Sequence, residues 1–161
     1  MPKKGITYKL PSEFAEKVEI DYANLTTVKH KKESGQFFTS KVISDFMGNL
    51  AQPKSDIISI LDPGCGTAIL CCSLIEKLIG KSKIKEIKLK LIEIDSKVIV
   101  ETKKVTDFLK EWLLKKGISL NVVIEQKDFI LSNSGAFTKN TLFQDQLIEK
   151  YDYIISNPPY F

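Results

Sequence analysis

Arginine is absent from this chain of 161 residues, and histidine, tryptophan and cysteine occur only once, once and three times. All 24 basic residues are therefore lysines, which against 20 acidic residues give a net charge of +4. Lysine attracts phosphate, but the arginine fork that most often reads guanine edges is missing, so this stretch is not expected to read most of a nucleic-acid sequence. The three cysteines lie together, two of them adjacent, which excludes a disulfide framework and a C-x-x-C metal site.

Long hydrophobic runs are also missing, and none approaches the ~18 residues that a membrane span needs. The basic N-terminus leads into mixed sequence, without the apolar run and cleavage site of a signal peptide. Glycine and proline are scarce, at 8 and 6, while 43% of residues are hydrophobic and 27% charged, which excludes disordered and collagenous classes. We expect one cytoplasmic globular domain with no membrane association and no metal.

The first third of the chain is predicted to be helical. Residues 1–34 form an N-terminal helical segment with one helix beginning at about Ser12, a good N-cap. A second helix begins after Ser40 and is stopped by Pro53. Its apolar positions follow the i, i+3, i+4, i+7 spacing of a helix: Val42, Ile43, Phe46, Met47 and Leu50.

The remainder alternates between short β-branched runs and longer helical patterns, which predicts an open α/β sheet of mostly parallel strands with helices on both faces. Ligands bind such sheets beyond the carboxyl ends of the strands. The predicted strands cover residues 57–61, 87–94, 120–124 and 151–156, the helices 67–78, 96–116 and 142–148, and a loop 132–139.

The turn after the first strand reads Asp62-Pro63-Gly64-Cys65-Gly66-Thr67-Ala68. Its two glycines allow a tight turn and close approach of a ligand, and the next helix offers unpaired N–H groups. The third glycine of the dinucleotide fingerprint is missing. A carboxylate at the strand end suits a cationic or amine-bearing ligand better than a pyrophosphate.

Two further strand ends carry acids. Glu93 follows the second strand, where it can accept hydrogen bonds from ribose hydroxyls, while nearby Asp95 is predicted to cap the next helix. After the third strand, Asp128 and Phe129 together suit the amino group and the ring of an adenine.

The fourth strand ends in Asn157-Pro158-Pro159-Tyr160. Two prolines remove two backbone donors, so the turn exposes carbonyl oxygens without competing N–H groups. Asn157 adds a side-chain carbonyl and Tyr160 a flat face for stacking. This combination predicts a pocket that accepts both protons of a planar amine.

With Gly35-Gln36-Phe37-Phe38-Thr39 upstream, the order of these motifs resembles the S-adenosylmethionine-dependent DNA adenine-N6 methyltransferases of restriction-modification systems, and most closely the Eco57I-like and TaqI-like group with an N-P-P-Y motif. The resemblance covers residues 35–161. It implies a Rossmann-like methyltransferase sheet, incomplete after the fourth strand, in a truncated S-adenosylmethionine-binding catalytic domain. Ser40 and Ala68 depart from the family pattern, which usually has proline and often glycine there.

The resemblance also implies a role for each motif. The residues implied at the methionine end of S-adenosylmethionine are Gln36, Phe38 and Thr39, which close over it, and Asp62, Pro63, Gly64, Cys65, Gly66 and Thr67, which hold it. Those implied at the nucleoside are Glu93 for the ribose, Ile94 and Phe129 for the two faces of the adenine, and Asp128 for its amino group. The implied catalytic residues are Asn157, Pro158, Pro159 and Tyr160, with Tyr160 stacked on a base flipped out of double-stranded DNA.

The expected partners are double-stranded DNA, engaged through the full-length protein, and other subunits of a restriction-modification system. Because family members continue beyond the N-P-P-Y turn, we expect this chain to bind the cofactor weakly and to methylate nothing unaided. Two alternatives stay open. One is a protein-glutamine or ribosomal RNA N-methyltransferase, which also uses N-P-P-Y, and the other is a non-catalytic module that binds a cofactor or a partner.

Overall fold

The computed structural model describes residues 8–25, 39–138 and 149–158. Five helices and four strands lie in these ranges, numbered here in chain order. They are α1 (Pro11–Leu25), α2 (Lys41–Leu50), β1 (Ile57–Asp62), α3 (Ile69–Lys81), β2 (Glu86–Glu93), α4 (Ser96–Leu114), β3 (Ser119–Gln126), α5 (Phe129–Thr138) and β4 (Tyr153–Ile154). None of the helices in these ranges is long and apolar enough to cross a membrane.

The four strands form one parallel sheet in the order β3-β2-β1-β4. β2 pairs with β3 along its whole length, and β1 pairs with β2 as far as Asp62 opposite Leu91. The carboxyl ends of β1, β2 and β3 therefore meet at one edge of the sheet. This architecture confirms the predicted open α/β sheet, and the predicted bounds of β1, β2 and α4 agree with the structure within two residues.

One face of the sheet carries the hydrophobic core. Residues at alternate positions of β1, β2 and β3 point to this face because side chains alternate along a strand. They pack with the apolar sides of α1, α3 and α4 in one continuous cluster. The fully buried strand residues of the cluster are Ile58, Ile60, Ile87, Leu89 and Leu91.

The opposite face is more polar. Lys88 is exposed there, and the Lys90 ammonium lies 2.8 Å from Glu149 and 3.2 Å from Glu125. The connections β1-α3-β2 and β2-α4-β3 step one way along the sheet, whereas the connection from β3 to β4 steps back. Glu149 lies just before β4, so this part of the chain contacts the polar face. The helices that pack on the hydrophobic core, α1, α3 and α4, lie on the other face.

The start of α1 differs from the prediction that Ser12 is its N-cap. The helix begins at Pro11, a residue well suited to the first helical position. The Ser12 N–H and hydroxyl both donate to Glu76 on α3, at 2.7 and 2.9 Å, while Glu13 accepts the N–H groups of Lys9 and Leu10. Ser12 therefore links α1 to α3 by hydrogen bonds and does not cap α1.

The second helix packs through its small residues. Ser44 and Gly48 are buried, and a Cβ on Gly48 would lie 2.9 Å from the Ser73 carbonyl oxygen of α3. The large apolar side chains point the other way, so that Val42 is 80% exposed and Phe46 65% exposed. The periodicity predicted the helix correctly, and close approach of the two backbones determines which side faces α3.

The predicted loop over residues 132–139 is wrong, because most of it belongs to α5. Serine, asparagine and glycine in this stretch are typical of loops. Here, however, Asp128 caps a helix: its carboxylate accepts the Leu131 N–H at 2.9 Å and its carbonyl accepts the Ser132 N–H. The Asn133 amide donates to the Phe129 carbonyl at 2.6 Å. The predicted helix over residues 142–148 lies outside the described residues.

The last strand is shorter than the predicted 151–156. β4 contains two residues, and Asp152 before it pairs with Ser59 of β1 through both its backbone N–H and its side chain. Its carboxylate accepts the Ser59 N–H at 2.7 Å and the Ser59 hydroxyl at 2.8 Å. The Ile155 N–H donates to Leu61, so the chain still follows β1 towards Asn157.

Candidate functional site

The turn after β1 is built around a buried carboxyl group. Asp62 has no exposed surface, and its Oδ1 accepts the Gly64 N–H at 3.2 Å while its Oδ2 lies 3.6 Å from the Cys71 sulfur, which donates to it. Burial raises the pKa of Asp62 to about 7, although the bonds from Gly64 and Cys71 oppose the increase. Asp62 therefore stabilises the conformation of the turn from its buried side.

The backbone of the turn needs unusual conformations. Gly66 has a φ of 52° and Ala68 a φ of 68°, both in the left-handed region, before α3 begins. The Gly66 carbonyl accepts the hydroxyl of Thr102, a fully buried residue of α4, at 2.7 Å. Sequence analysis did not select Thr102, and no local pattern marks it.

Glu93, at the end of β2, holds the same turn from the other side. Its carboxylate accepts three backbone N–H groups, from Gly66 at 3.0 Å and from Ile94 and Asp95 at 2.9 Å. A carboxylate has about four acceptor positions, so room for a ligand hydroxyl is limited. Asp95 accepts the Lys97 N–H at 2.8 Å and caps α4, as predicted.

Beside the turn lies a small recess, open to solvent. It is well below the size of a typical ligand site, so it can take only one end of an extended ligand. A Cβ on Gly64 would meet no atom within 4 Å, which leaves free space above the turn. The residues around the recess are Glu19, Thr39, Gly64, Cys65, Gly66, Thr67, Ile69, Leu70 and Asn157.

Glu19 reaches the recess from α1. It is 6% exposed, and its Oε2 accepts the Thr67 hydroxyl at 3.2 Å. Burial raises the pKa of Glu19 to about 8; the Thr67 bond lowers it and the Glu16 charge raises it further. Sequence analysis missed this residue, although its position among the buried Ala15, Val18 and Tyr22 marks an acid on the inward side of a helix.

A hydrogen bond joins the two ends of the predicted motif series. The side-chain amide of Asn157, after β4, donates to the hydroxyl of Thr39, before α2, at 2.9 Å. Thr39 is buried and Pro158 is exposed. The other predicted residues of these two motifs, Gln36, Phe38, Pro159 and Tyr160, lie outside the described residues.

The remaining predicted residues lie outside the walls of the recess. Asp128 and Phe129 follow β3, where the Asp128 carboxylate caps α5, while Ile94 follows the neighbouring β2 and is 56% exposed. The structure thus places six predicted residues on the recess walls, Thr39, Gly64, Cys65, Gly66, Thr67 and Asn157. It places the other seven described ones at or just beyond the ends of the strands around it: Asp62, Pro63, Glu93, Ile94, Asp128, Phe129 and Pro158.

The chemistry of the recess fits a ligand with a positively charged end. The carboxyl group of Glu19 and the hydroxyls of Thr39 and Thr67 are on its walls, and no lysine is among the residues around it. Within the described ranges, no group of three or more His, Cys, Asp or Glu side chains could hold a metal ion.

Comparison with known proteins identifies the family. The profile of the N-6 DNA Methylase family matches residues 21–161, which is most of the chain. The chain belongs to the N-6 DNA methylase family. The match includes every element that surrounds the recess except the first part of α1.

Two curated relatives are similar to this N-6 DNA methylase chain over nearly all of its length. Type II methyltransferase M.BsuBI of Bacillus subtilis is 32% identical over 149 residues, which are 88% of this chain and 28% of that protein. Type II methyltransferase M.AccI of Acinetobacter calcoaceticus is 27% identical over 144 residues, 89% of this chain and 21% of that protein. The chain therefore spans about a quarter of the length of these relatives.

Two solved structures share the fold of this N-6 DNA methylase chain. A putative class I S-adenosylmethionine-dependent methyltransferase from Listeria monocytogenes superposes with a TM-score of 0.57 at 20% identity, covering 94% of this chain and 40% of that one. The modification subunit of a putative type I restriction enzyme from Vibrio vulnificus YJ016 gives a TM-score of 0.56 at 20% identity, covering 96% and 30%. The sheet described above is thus the class I methyltransferase sheet.

Proposed function

We propose that this chain is the cofactor-binding part of a DNA methyltransferase of a restriction-modification system, which transfers a methyl group from S-adenosylmethionine to the N6 atom of an adenine. The observation that carries the proposal is the bond from Asn157 to Thr39. It brings Asn157, the first residue of the N-P-P-Y motif, to the recess beside the glycine turn, so an amine bound by this motif would face a ligand held by the turn. Membership of the N-6 DNA methylase family supports the same reading.

The proposed cofactor extends along the carboxyl ends of the strands. The residues that would hold it are those of the recess wall for its methionine end, Glu93 for its ribose, Ile94 and Phe129 at the ends of β2 and β3 for the two faces of its adenine, and Asp128 for the adenine amino group. Because Glu93 already accepts three N–H groups, it offers one further acceptor position to the ribose. When bound, S-adenosylmethionine supplies an electrophilic methyl group on a sulfonium.

The proposed work of the N-P-P-Y turn is to hold the target amine. The Asn157 side-chain carbonyl and the Pro158 backbone carbonyl accept its two protons, which draws the nitrogen lone pair away from the ring and towards the methyl group. Tyr160 stacks on the flipped base and Pro159 keeps the turn rigid. The nitrogen forms the new bond to carbon, the sulfonium bond to that carbon breaks, and the amine loses one proton to solvent.

The partners proposed for the whole protein are double-stranded DNA and other restriction-modification subunits, in the cytoplasm. M.BsuBI and M.AccI carry type II methyltransferase names, and one structural neighbour is a type I modification subunit. Since the chain spans 28% and 21% of the two type II relatives, we propose that it binds cofactor weakly and transfers no methyl group alone.

Isothermal titration of the chain with S-adenosylmethionine and S-adenosylhomocysteine tests the cofactor site. We expect binding heat from the wild-type chain and none from Asp62→Ala or Glu93→Ala, because each acid holds the backbone of the glycine turn. Asp56→Ala is the matched control, since Asp56 lies exposed at the other end of β1. Unchanged binding by Asp62→Ala and Glu93→Ala places the cofactor elsewhere and contradicts the proposal.

The acceptor is tested with cofactor that carries a tritiated methyl group. The chain is incubated separately with unmethylated double-stranded DNA, with ribosomal RNA and with glutamine-containing protein, and the product is digested and chromatographed. The proposal expects any label to appear as N6-methyladenine in DNA. Label in RNA or on a glutamine amide would favour the two other N-P-P-Y transferases, and cofactor binding without transfer to any acceptor is expected of a part that needs the rest of its protein.

A further inference from the structure

Only one carboxyl group lies on the wall of the recess among the residues that the structure describes, and it is Glu19 on α1. Asp62, which the motif pattern assigns to the methionine end of the cofactor, is fully buried behind the turn. Both of its carboxylate oxygens are engaged, one by the Gly64 N–H and the other by the Cys71 thiol. A negative charge to pair with an ammonium group in the recess must therefore come from a residue other than Asp62.

The surroundings of Glu19 leave it available to a ligand. Its single hydrogen bond within the described part of the chain comes from the Thr67 hydroxyl and reaches Oε2. None of the ion pairs within the described part of the chain involves Glu19. An ammonium group would ionise this carboxyl group, which is 6% exposed, and pair with it where little water competes.

Thr67 connects Glu19 to the glycine turn. Its hydroxyl bonds to Glu19 across 48 residues of sequence, and its backbone belongs to the glycine turn. Thr39 and Asn157 are on the same recess, and their hydrogen bond closes one side of it. A small zwitterionic group in the recess would thus meet a carboxyl on the side of α1 and hydroxyls and backbone around it.

We propose that Glu19 binds the α-ammonium group of the cofactor's methionine end, while Asp62 acts as a positioning residue that holds the turn. This inference rests on the proposed function, because it concerns the same cofactor. It assigns the amino-acid end of that ligand to α1, outside the motifs that sequence analysis selected, and makes the N-terminal helix part of the site.

The test compares ligands with and without the amino-acid end. Isothermal titration measures the dissociation constants of S-adenosylmethionine, S-adenosylhomocysteine and 5′-methylthioadenosine, which lacks the amino and carboxyl groups, for the wild-type chain and for Glu19→Gln. We expect Glu19→Gln to weaken the first two by about tenfold to a hundredfold, the range of one charge-assisted hydrogen bond. 5′-Methylthioadenosine should bind both chains within about twofold, which also shows that the variant is folded.

Asp21→Asn is the matched control, because Asp21 lies on the exposed side of α1, pairs with Lys17 and is not on the recess wall. It should bind all three ligands like the wild-type chain. Equal weakening of all three ligands by Glu19→Gln would overturn the inference, since Glu19 would then act only by supporting the turn. Equal affinities in wild type and variant would overturn it as well. If the wild-type chain binds none of the ligands, the proposed function itself fails, a result distinct from the other two.

Discussion

The buried carboxyl of Glu19 predicts that the ligand-free chain loses stability as pH rises. The pKa of Glu19 is raised from 4.5 to about 8 in the folded chain, so between these values the folded state keeps a proton that the unfolded state has released. The free energy of unfolding then falls with rising pH through this window. One proton over two pH units corresponds to roughly 2.5 kcal/mol between pH 5 and 7, at ~1.36 kcal/mol per pH unit.

Glu19→Gln removes this proton while keeping an oxygen that accepts the Thr67 hydroxyl. We expect the variant to resemble the wild-type chain near pH 5 and to exceed its stability by about 2 kcal/mol at pH 7. Asp62, whose pKa is raised to about 7, should give a further decrease in both chains, since burial also acts on it. Of the other titratable neighbours, Glu16 raises the pKa of Glu19 by its charge, and Cys65 stays neutral because burial raises its pKa.

Urea unfolding followed by far-UV circular dichroism at pH 5, 6, 7 and 8 measures the effect. Glu101→Gln is the matched control, because this acid pairs with Lys104 on the outer side of α4. The only histidine, His30, is retained in all three chains, so its titration cancels. Parallel stability profiles for wild type and Glu19→Gln would refute the reasoning, since Glu19 would then titrate in the folded chain as it does in the unfolded chain.

Four further substitutions test the framework of the site. Gly48→Ala should lower the free energy of unfolding by about 1–3 kcal/mol, because its Cβ would lie 2.9 Å from the Ser73 carbonyl; an unchanged urea midpoint would disprove the close contact. Gly64→Ala should unfold like the wild-type chain, because its Cβ would meet no atom within 4 Å, yet bind S-adenosylmethionine more weakly in calorimetry, because the Cβ would occupy the space proposed for the ligand. Gly66→Ala should lower the free energy of unfolding by about 1 kcal/mol, because the φ of Gly66 is in the left-handed region. Thr102→Val should cost about 1–2 kcal/mol in urea unfolding by removing the bond to the Gly66 carbonyl, and a neutral result would show that this bond contributes nothing.

The strands and the glycine turn were predictable because their signals are local. β1 is a short, largely apolar run, β2 alternates isoleucine and leucine with lysine, and each strand ends in an acid. Asp62 and Glu93 were selected on that position alone. The structure agrees that both belong to the edge where ligands bind, and adds that backbone N–H groups occupy much of their acceptor capacity.

The errors at Ser12 and α5 come from partners that composition does not reveal. A serine before a helical pattern predicts an N-cap, yet Ser12 bonds to Glu76, which lies 64 residues later. The serine, asparagine and glycine of residues 132–135 predict a loop, but Asp128 caps the preceding turn and these residues continue as α5. In both places a side-chain hydrogen bond that composition does not reveal determines the local structure.

Glu19 and Thr102 could not be selected because their importance is entirely tertiary. Glu19 is an acid within a helical pattern, where an exposed position is the usual expectation. Only the packing of α1 against α3 and α4 brings it to Thr67, and only the packing of α4 brings Thr102 to Gly66. Helical periodicity around Ala15 and Val18 places Glu19 on the inward side, but identifies no partner for it.

The bond between Thr39 and Asn157 spans 118 residues of sequence, and this bears on when the site is complete during protein synthesis. β1, β2 and β3 can pair once Gln126 has left the ribosome, so most of the sheet precedes the recess in time. The wall that contains Asn157 forms only after β4 has joined β1, and such distant contacts are generally the slowest to form. Among the described elements this wall of the recess is thus the last to form, and a ligand that binds in the recess stabilises the whole described sheet at once.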